Sequence, residues 1–274
     1  MNPKHIPQVI GVASGKGGVG KTTIATHLAS ALVNAGKRVL VLDADMGLAN
    51  AQIAFGMRAK YNIQHVLAGE KRLSEILLQT PQGVWLAPGA SGSRDMASLP
   101  PAAIAHLIDA FEEVADQFDF LLVDIAAGIS NSVTTFLGAC QRRVVVVKDE
   151  PASIADAYGL IKVMVSELGL DEIYLLPNMV KSQAHGWQLY KRFNDICLRF
   201  LNQPVSYLTS VETDEEVSSD RAKYQRVVTL SQLSGTPRDF VRLADAVGKL
   251  PPVATVTGAT QFFIHRLVHA QLSN

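Results

Sequence analysis

The stretch that most constrains this chain is Gly15-Lys16-Gly17-Gly18-Val19-Gly20-Lys21-Thr22, a complete G-x-x-x-x-G-K-[ST] pattern. Its glycines let the backbone curl until the N–H groups point inward. The β-branched run Val9–Ala13 precedes it, and helical spacing over Lys21–Ala35 follows, closed by Gly36. A strand, a glycine loop and a helix start in that order make an anion cradle, because the positive end of the helix dipole faces the loop. Lys21 is expected to reach the β- and γ-phosphates of a nucleotide, and the Thr22 hydroxyl to ligate Mg²⁺. The loop residues Gly15 to Gly20, Val19 among them, together with Thr23, complete the expected phosphate shell.

The rest of the chain fits an α/β frame around that loop. Short apolar runs at Arg38–Leu42, Val84–Ala87, Phe120–Val123, Val144–Val147 and Ile173–Leu176 read as strands. Each is apolar on both faces and separated from the next by enough chain for a crossover helix. That spacing predicts a doubly wound, mostly parallel sheet covered on both sides. Helices are expected near Pro101–Phe118, Ser153–Leu168, Gly186–Leu201 and Thr236–Leu250. The composition shifts at Pro251–Pro252, which predicts a domain over residues 1–252 and a tail over 253–274.

Composition narrows the function. Lys plus Arg and Asp plus Glu both number 25, so no whole-protein field favours nucleic acid, and no direct nucleic-acid binding is expected. The two cysteines, Cys140 and Cys197, form no CxxC pair, which argues against a disulfide framework or a structural zinc site and fits a reducing cytosol. No apolar run reaches the ~18 residues needed to span a bilayer, so a cytoplasmic location with at most peripheral membrane contact is expected.

Lys16, a second lysine just after the first glycine, makes the GKGGVGKT loop resemble the deviant Walker A motif of the MinD/ParA ATPases. The resemblance covers about residues 7–250 and implies ATP or ADP with Mg²⁺ as ligands, and slow hydrolysis of ATP to ADP and phosphate. It implies an ATP-dependent homodimer in which Lys16 reaches the partner's nucleotide, so that Lys16, Lys21 and Asp45 form the catalytic set. Asp43 and Asp45 lie in Val41-Leu42-Asp43-Ala44-Asp45, and Asp124 ends Leu121-Leu122-Val123-Asp124 in Walker B fashion. A carboxylate at a strand's C-terminal end faces the ligand crevice of an open α/β sheet. By resemblance, Asp43 and Asp124 hold the magnesium shell with Thr22, and Asp45 orients the attacking water. Gly128, in Asp124-Ile125-Ala126-Ala127-Gly128, is implied to offer its N–H to the γ-phosphate. Asn178 is implied to pair with the adenine edge, since an amide offers a donor and an acceptor side by side. Glu212, in Val211-Glu212-Thr213-Asp214, lies where the family has a loop over the base.

Several stretches resemble the FlhG (FleN) branch, which regulates flagellar number and placement. They are Asp43 to Asn50, His65 to Glu70, Pro88 to Gly92 and Asp149 to Tyr158. The resemblance implies as partners an FlhF-type GTPase and a flagellar transcription activator, with action at the cell pole. The alternatives are a MinD-type division-site ATPase and a ParA-type ATPase that positions DNA or cargo. An iron–sulfur carrier would need cysteines facing a dimer axis, and Cys140 and Cys197 lie far apart in sequence with neither in a paired motif. In the tail, Phe263, Ile264, Leu267, Val268 and Leu272 fall on one helical face, with Gln261, His265, Arg266 and His269 mostly on the other. Family members end in such a helix, which implies reversible membrane contact through residues 260–272, against the alternative that it packs on its own domain.

Overall fold

The computed structural model describes residues 6–46, 49–90, 96, 99–213, 235–251, 253 and 260–272. Gly47, Leu48, Ser91, Gly92, Asp214 and Pro252, which the sequence reading singled out, lie outside them. The strands are β1 Gln8–Ala13, β2 Val39–Ala44, β3 Leu78–Gln79, β4 Trp85–Ala87, β5 Phe120–Ile125, β6 Arg142–Val147, β7 Ile173–Val180, β8 Ser206–Tyr207 and β9 Val211–Glu212. The helices are α1 Lys21–Asn34, α2 Ala51–Ala54, α3 Ile63–Leu67, α4 Leu73–Ile76, α5 Pro101–Ala110, α6 Asn131–Ala139, α7 Pro151–Ser166, α8 Gln183–Leu201, α9 Thr236–Gly248 and α10 Ile264–Leu272.

The sheet runs β3-β4-β2-β5-β1-β6-β7-β8, with β9 on β7, and every pairing but β3–β4 is parallel. Alternate residues of β1 serve two cores: Val9 and Ala13 pack in one layer, Ile10 and Val12 in the other. That alternation is why the strands are apolar on both faces. β1 lies between β5 and β6: it connects through α1 to β2 on one side, while β5 connects past it to β6 on the other, so neighbouring connections run in opposite directions. The crevice beyond its C-terminal end is a topological switch point, where open α/β sheets bind ligands.

Three features depart from the sequence expectation. The helix expected over Pro101–Phe118 is α-helical only to Ala110 and continues as a 3₁₀ turn, Phe111–Gln117. β6 starts two residues earlier than its apolar run, because Arg142 and Arg143 are themselves buried. The Arg143 guanidinium donates to the carbonyls of Leu137, Cys140 and Gln141, so it caps the C-terminal end of α6 rather than pairing with an acid.

The third departure concerns which residues of the tail are buried, the tail itself taking the alternative left open above. It packs against its own domain: Phe262 and Phe263 join the core layer, Leu267 is buried, and the Phe262 and Phe111 rings meet edge to face at 5.2 Å. Val268, expected on the apolar face, is 41% exposed, whereas Gln261, expected on the polar face, is buried. The cause is that the chain enters the contact through a non-helical turn, which puts Phe262 under the domain ahead of α10. The Phe262 N–H donates to the Ala139 carbonyl at 3.2 Å, and Arg266 bridges Glu112 and Asp116.

Candidate functional site

The glycine loop joins β1 to α1 at the switch point. Gly18 and Gly20 have φ of 78° and 97°, the left-handed region that a side chain resists. Gly20 also caps α1, its carbonyl accepting the Ile24 N–H at 2.9 Å. The loop is closely approached by the α7 backbone at Gly15 and by the Asn178 side chain at Gly20. A Cβ on Gly15 would stand 2.1 Å from the Asp156 carbonyl oxygen of α7, and one on Gly20 would stand 2.5 Å from the Asn178 amide nitrogen. Val19 is buried and anchors the loop, while Lys16, Gly17 and Gly18 are exposed. A cleft opens over it, lined by Gly17, Gly18, Gly20, Lys21, Thr22, Thr23 and Asp45. Asn50, Ile53, Ala54, Ala126 and Ala127 complete its walls. None of these five was given a role from the sequence, although Asn50 ends one of the quoted stretches and Ala126 and Ala127 lie within Asp124–Gly128.

The two buried aspartates stand side by side. Asp43 on β2 and Asp124 on β5 are register partners at the C-terminal ends of adjacent parallel strands. Asp43 accepts the Ala51 N–H at 2.8 Å and the Asp45 N–H at 3.3 Å, which ties α2 and the Asp45 turn to β2. Burial and then the neighbouring Asp124 charge push its carboxyl up to about 7, against those two hydrogen bonds. Neither oxygen of Asp124 meets a donor at regular hydrogen-bond geometry, and both are shut off from water. Burial raises that carboxyl to about 6, against the Thr22 hydroxyl and the Lys21 ammonium, which lower it. Two carboxylates held this way, beside a hydroxyl and a lysine, form a seat for a hard divalent cation with oxygen ligands. The donor set therefore fits Mg²⁺, with Asp124 and Thr22 as the better-placed ligands and Asp43 already engaged with backbone.

The remaining expected residues are placed differently from the cleft. The Gly128 N–H, implied to reach a γ-phosphate, donates here to the Ser14 carbonyl at 3.0 Å. Gly128 has φ of 96°, so this amide would have to turn away from Ser14 to meet a phosphate. Asn178 is buried, and its amide donates to the Val19 carbonyl at 2.8 Å, so its donor side braces the glycine loop. Glu212 accepts the Gln183 N–H at the start of α8, at 3.1 Å, and lies 3.8 Å from Arg238. Its own N–H is held by Asp239, a buried carboxylate on α9. Lys16 and Gly15 belong to the loop without lining the cleft.

Residues 10–227 match the model of the CobQ/CobB/MinD/ParA nucleotide binding domain. The chain belongs to this family. Within the MinD/ParA group it is 40% identical over 268 residues to the antiactivator FleN of Pseudomonas aeruginosa, spanning 98% of this chain and 96% of that one. It is 39% identical over 184 residues to the flagellum site-determining protein YlxH of Helicobacter pylori, 67% of this chain and 62% of that one. In fold it resembles the septum site-determining protein MinD of Pyrococcus horikoshii complexed with Mg-ADP. The TM-score is 0.73 at 23% identity, over 89% of this chain and 97% of that one. The mostly parallel sheet and the glycine loop are therefore those of a MinD-like P-loop ATPase.

Proposed function

We propose that this MinD/ParA-family ATPase is a nucleotide-gated switch that controls the number or placement of flagella. The observation that carries the reading is the near full-length relationship to the antiactivator FleN, joined to a glycine loop with both Lys16 and Lys21. In this reading ATP fills the cleft, with the loop N–H groups and Lys21 on its phosphates. Mg²⁺ held by Thr22 and Asp124, with Asp43 behind them, supplies charge neutralisation at the phosphates. Lys16 is exposed, so it extends to the nucleotide of a second copy, and two copies close face to face around ATP. Asp45 lines the same cleft and holds the attacking water in line; most of the charge stabilisation falls to the cation and the lysines.

The tail supplies the output side of the switch. Phe262, Phe263 and Leu267 are buried on the domain, and each such side chain contributes roughly 1.5–3 kcal/mol by burial. Membrane contact through residues 260–272 therefore requires the tail to leave its seat, and two tails released on one dimer would bind together far better than one. The partners of this state are proposed to be an FlhF-type GTPase and a flagellar transcription activator, and its place the cell pole.

Size-exclusion chromatography with light scattering tests the reading. Dimer with Mg-ATP and monomer with Mg-ADP are expected, with Lys16→Ala remaining monomeric although it binds ATP. A Lys16→Ala protein that dimerises like the parent would remove the shared-lysine model. In cells, deletion is expected to change flagellar number, and unchanged number and position would refute the flagellar role.

A further inference from the structure

The seat of the tail carries a charge pattern beside its apolar contacts. Phe262, Phe263 and Leu267 are buried and supply the apolar part of the docking. Phe263 is held at φ of 60°, a left-handed value that a side chain resists, so the turn into α10 gives back part of what this burial contributes. Two acids of the 3₁₀ turn Phe111–Gln117 meet the start of α10. Glu112 accepts the His265 N–H at 3.2 Å and the Arg266 Nε–H at 3.4 Å. Asp116 accepts both terminal nitrogens of the same guanidinium, one of them at 2.8 Å, in a two-pronged contact. The Arg266 side chain is only 12% exposed, and the Asp116 carboxylate holds its pKa above the ordinary arginine value, against burial. Arg38, another cation at this turn, is taken up by Asp119 and the Asp116 carbonyl. A guanidinium fork that fits a carboxylate in this way fits a phosphodiester equally well, because both present paired oxygens. Arg266 is also the only lysine or arginine after Lys249 in the sequence. The tail therefore cannot pair its fixed charge with these acids and with an anionic surface at once.

We infer that Glu112 and Asp116 form a charge latch that competes with anionic phospholipid for Arg266: the tail leaves its seat for a membrane by exchanging these two carboxylates for lipid phosphates. This rests on the proposed membrane contact of residues 260–272. The apolar residues gain burial in the seat and in a bilayer alike, so the exchange at Arg266 decides between an anionic and a neutral surface. The two acids thereby set how much anionic lipid a surface must carry before it draws the tail out.

The test uses the full chain with Mg-ADP, limited proteolysis of the tail, and sedimentation with vesicles of phosphatidylcholine alone or with about a third phosphatidylglycerol. In Glu112→Gln/Asp116→Asn the tail is expected to be cut roughly three- to tenfold faster, and the protein to sediment with phosphatidylglycerol vesicles that leave the parent in solution. Arg266→Gln is expected to free the tail as well, but to bind the two vesicles alike. Arg266→Lys keeps the charge without the fork, so it should regain the phosphatidylglycerol preference while its tail is still cut faster than the parent's. A tail as protected in Glu112→Gln/Asp116→Asn as in the parent overturns the inference. So does a phosphatidylglycerol preference that survives in Arg266→Gln. Phe262→Ala, which loosens the seat and keeps Arg266, separates this failure from that of the membrane reading. Binding to neither vesicle there refutes the membrane contact and the exchange with it, whereas equal binding to both refutes the exchange alone.

Discussion

Asp124→Asn should make the nucleotide-free protein more stable while removing its use of magnesium. Asp124 ends β5 with both carboxylate oxygens buried and without a regular donor. Its carboxyl is raised from 3.8 to about 6, first by burial. A group whose pKa is raised on folding holds its proton more tightly in the native state, so its ionised form opposes folding above that pKa. The penalty is fully present above about 6 and disappears below 3.8. The shift corresponds to about 3 kcal/mol at pH 8. The amide keeps two polar atoms in the same dry position and leaves Lys21 with less attraction, so part of that gain is lost. A net stabilisation of roughly 1–2 kcal/mol is therefore expected, read as a higher urea midpoint at pH 8 without nucleotide. The advantage should shrink toward pH 4, where the parent's carboxyl is protonated. In the same variant the magnesium-dependent part of ATP affinity should vanish. A variant less stable than the parent at pH 8, or one with unchanged magnesium dependence, would refute the argument that this carboxylate is held ready for a cation.

Other perturbations follow from the same contacts. Gly15→Ala places a methyl 2.1 Å from the Asp156 carbonyl, so a loss of roughly 1–3 kcal/mol is expected by urea denaturation; an unchanged midpoint would mean that α7 yields freely. His27 is buried, stacked on Phe240 at 4.8 Å, and burial lowers its pKa from 6.5 to about 4. Its neutral form stabilises the fold above 6.5, and that contribution, about 3 kcal/mol, is lost as pH falls toward 4. His27→Gln should flatten the stability profile across that window, and matching slopes would remove His27 as the cause. Phe262→Ala should cost the tail roughly 3–5 kcal/mol of docking and make it sensitive to limited proteolysis and able to sediment with liposomes without ATP. A protected tail in that variant would show that Arg266 and the burial of Phe263 and Leu267 suffice.

The frame was legible because its signals are local and strong. β1, the glycine loop and α1 follow from one motif with a buried strand before it and helical spacing after it. The aspartates at 43 and 124 were legible as strand-end carboxylates, and the parallel register brings them together. What the sequence does not display is pairing at a distance. β3, β8 and β9 are two residues each, and nothing in two residues identifies a strand until a partner holds it. β6 begins with two arginines that read as surface, because the carbonyls that satisfy Arg143 become its neighbours only through the fold. The competing partners of Gly128 and Asn178 are likewise long-range: Ser14 and Val19 stand at the far ends of those contacts in sequence. The bulge in β7 at Met179 depends on β9, so the left-handed backbone there has no sequence signature. The tail's periodicity was readable, but its seat against Phe111 and Ala139 was not.

The central claim is that a glycine cradle with Lys21 at its helix start grips a triphosphate with magnesium. Calorimetric titration of the purified chain with Mg-ATP, set beside Lys21→Ala and with magnesium withheld, tests it directly. The account predicts saturable binding to the parent, a large loss without magnesium, and no measurable binding to Lys21→Ala. Equal heats of binding in the parent and Lys21→Ala would contradict it.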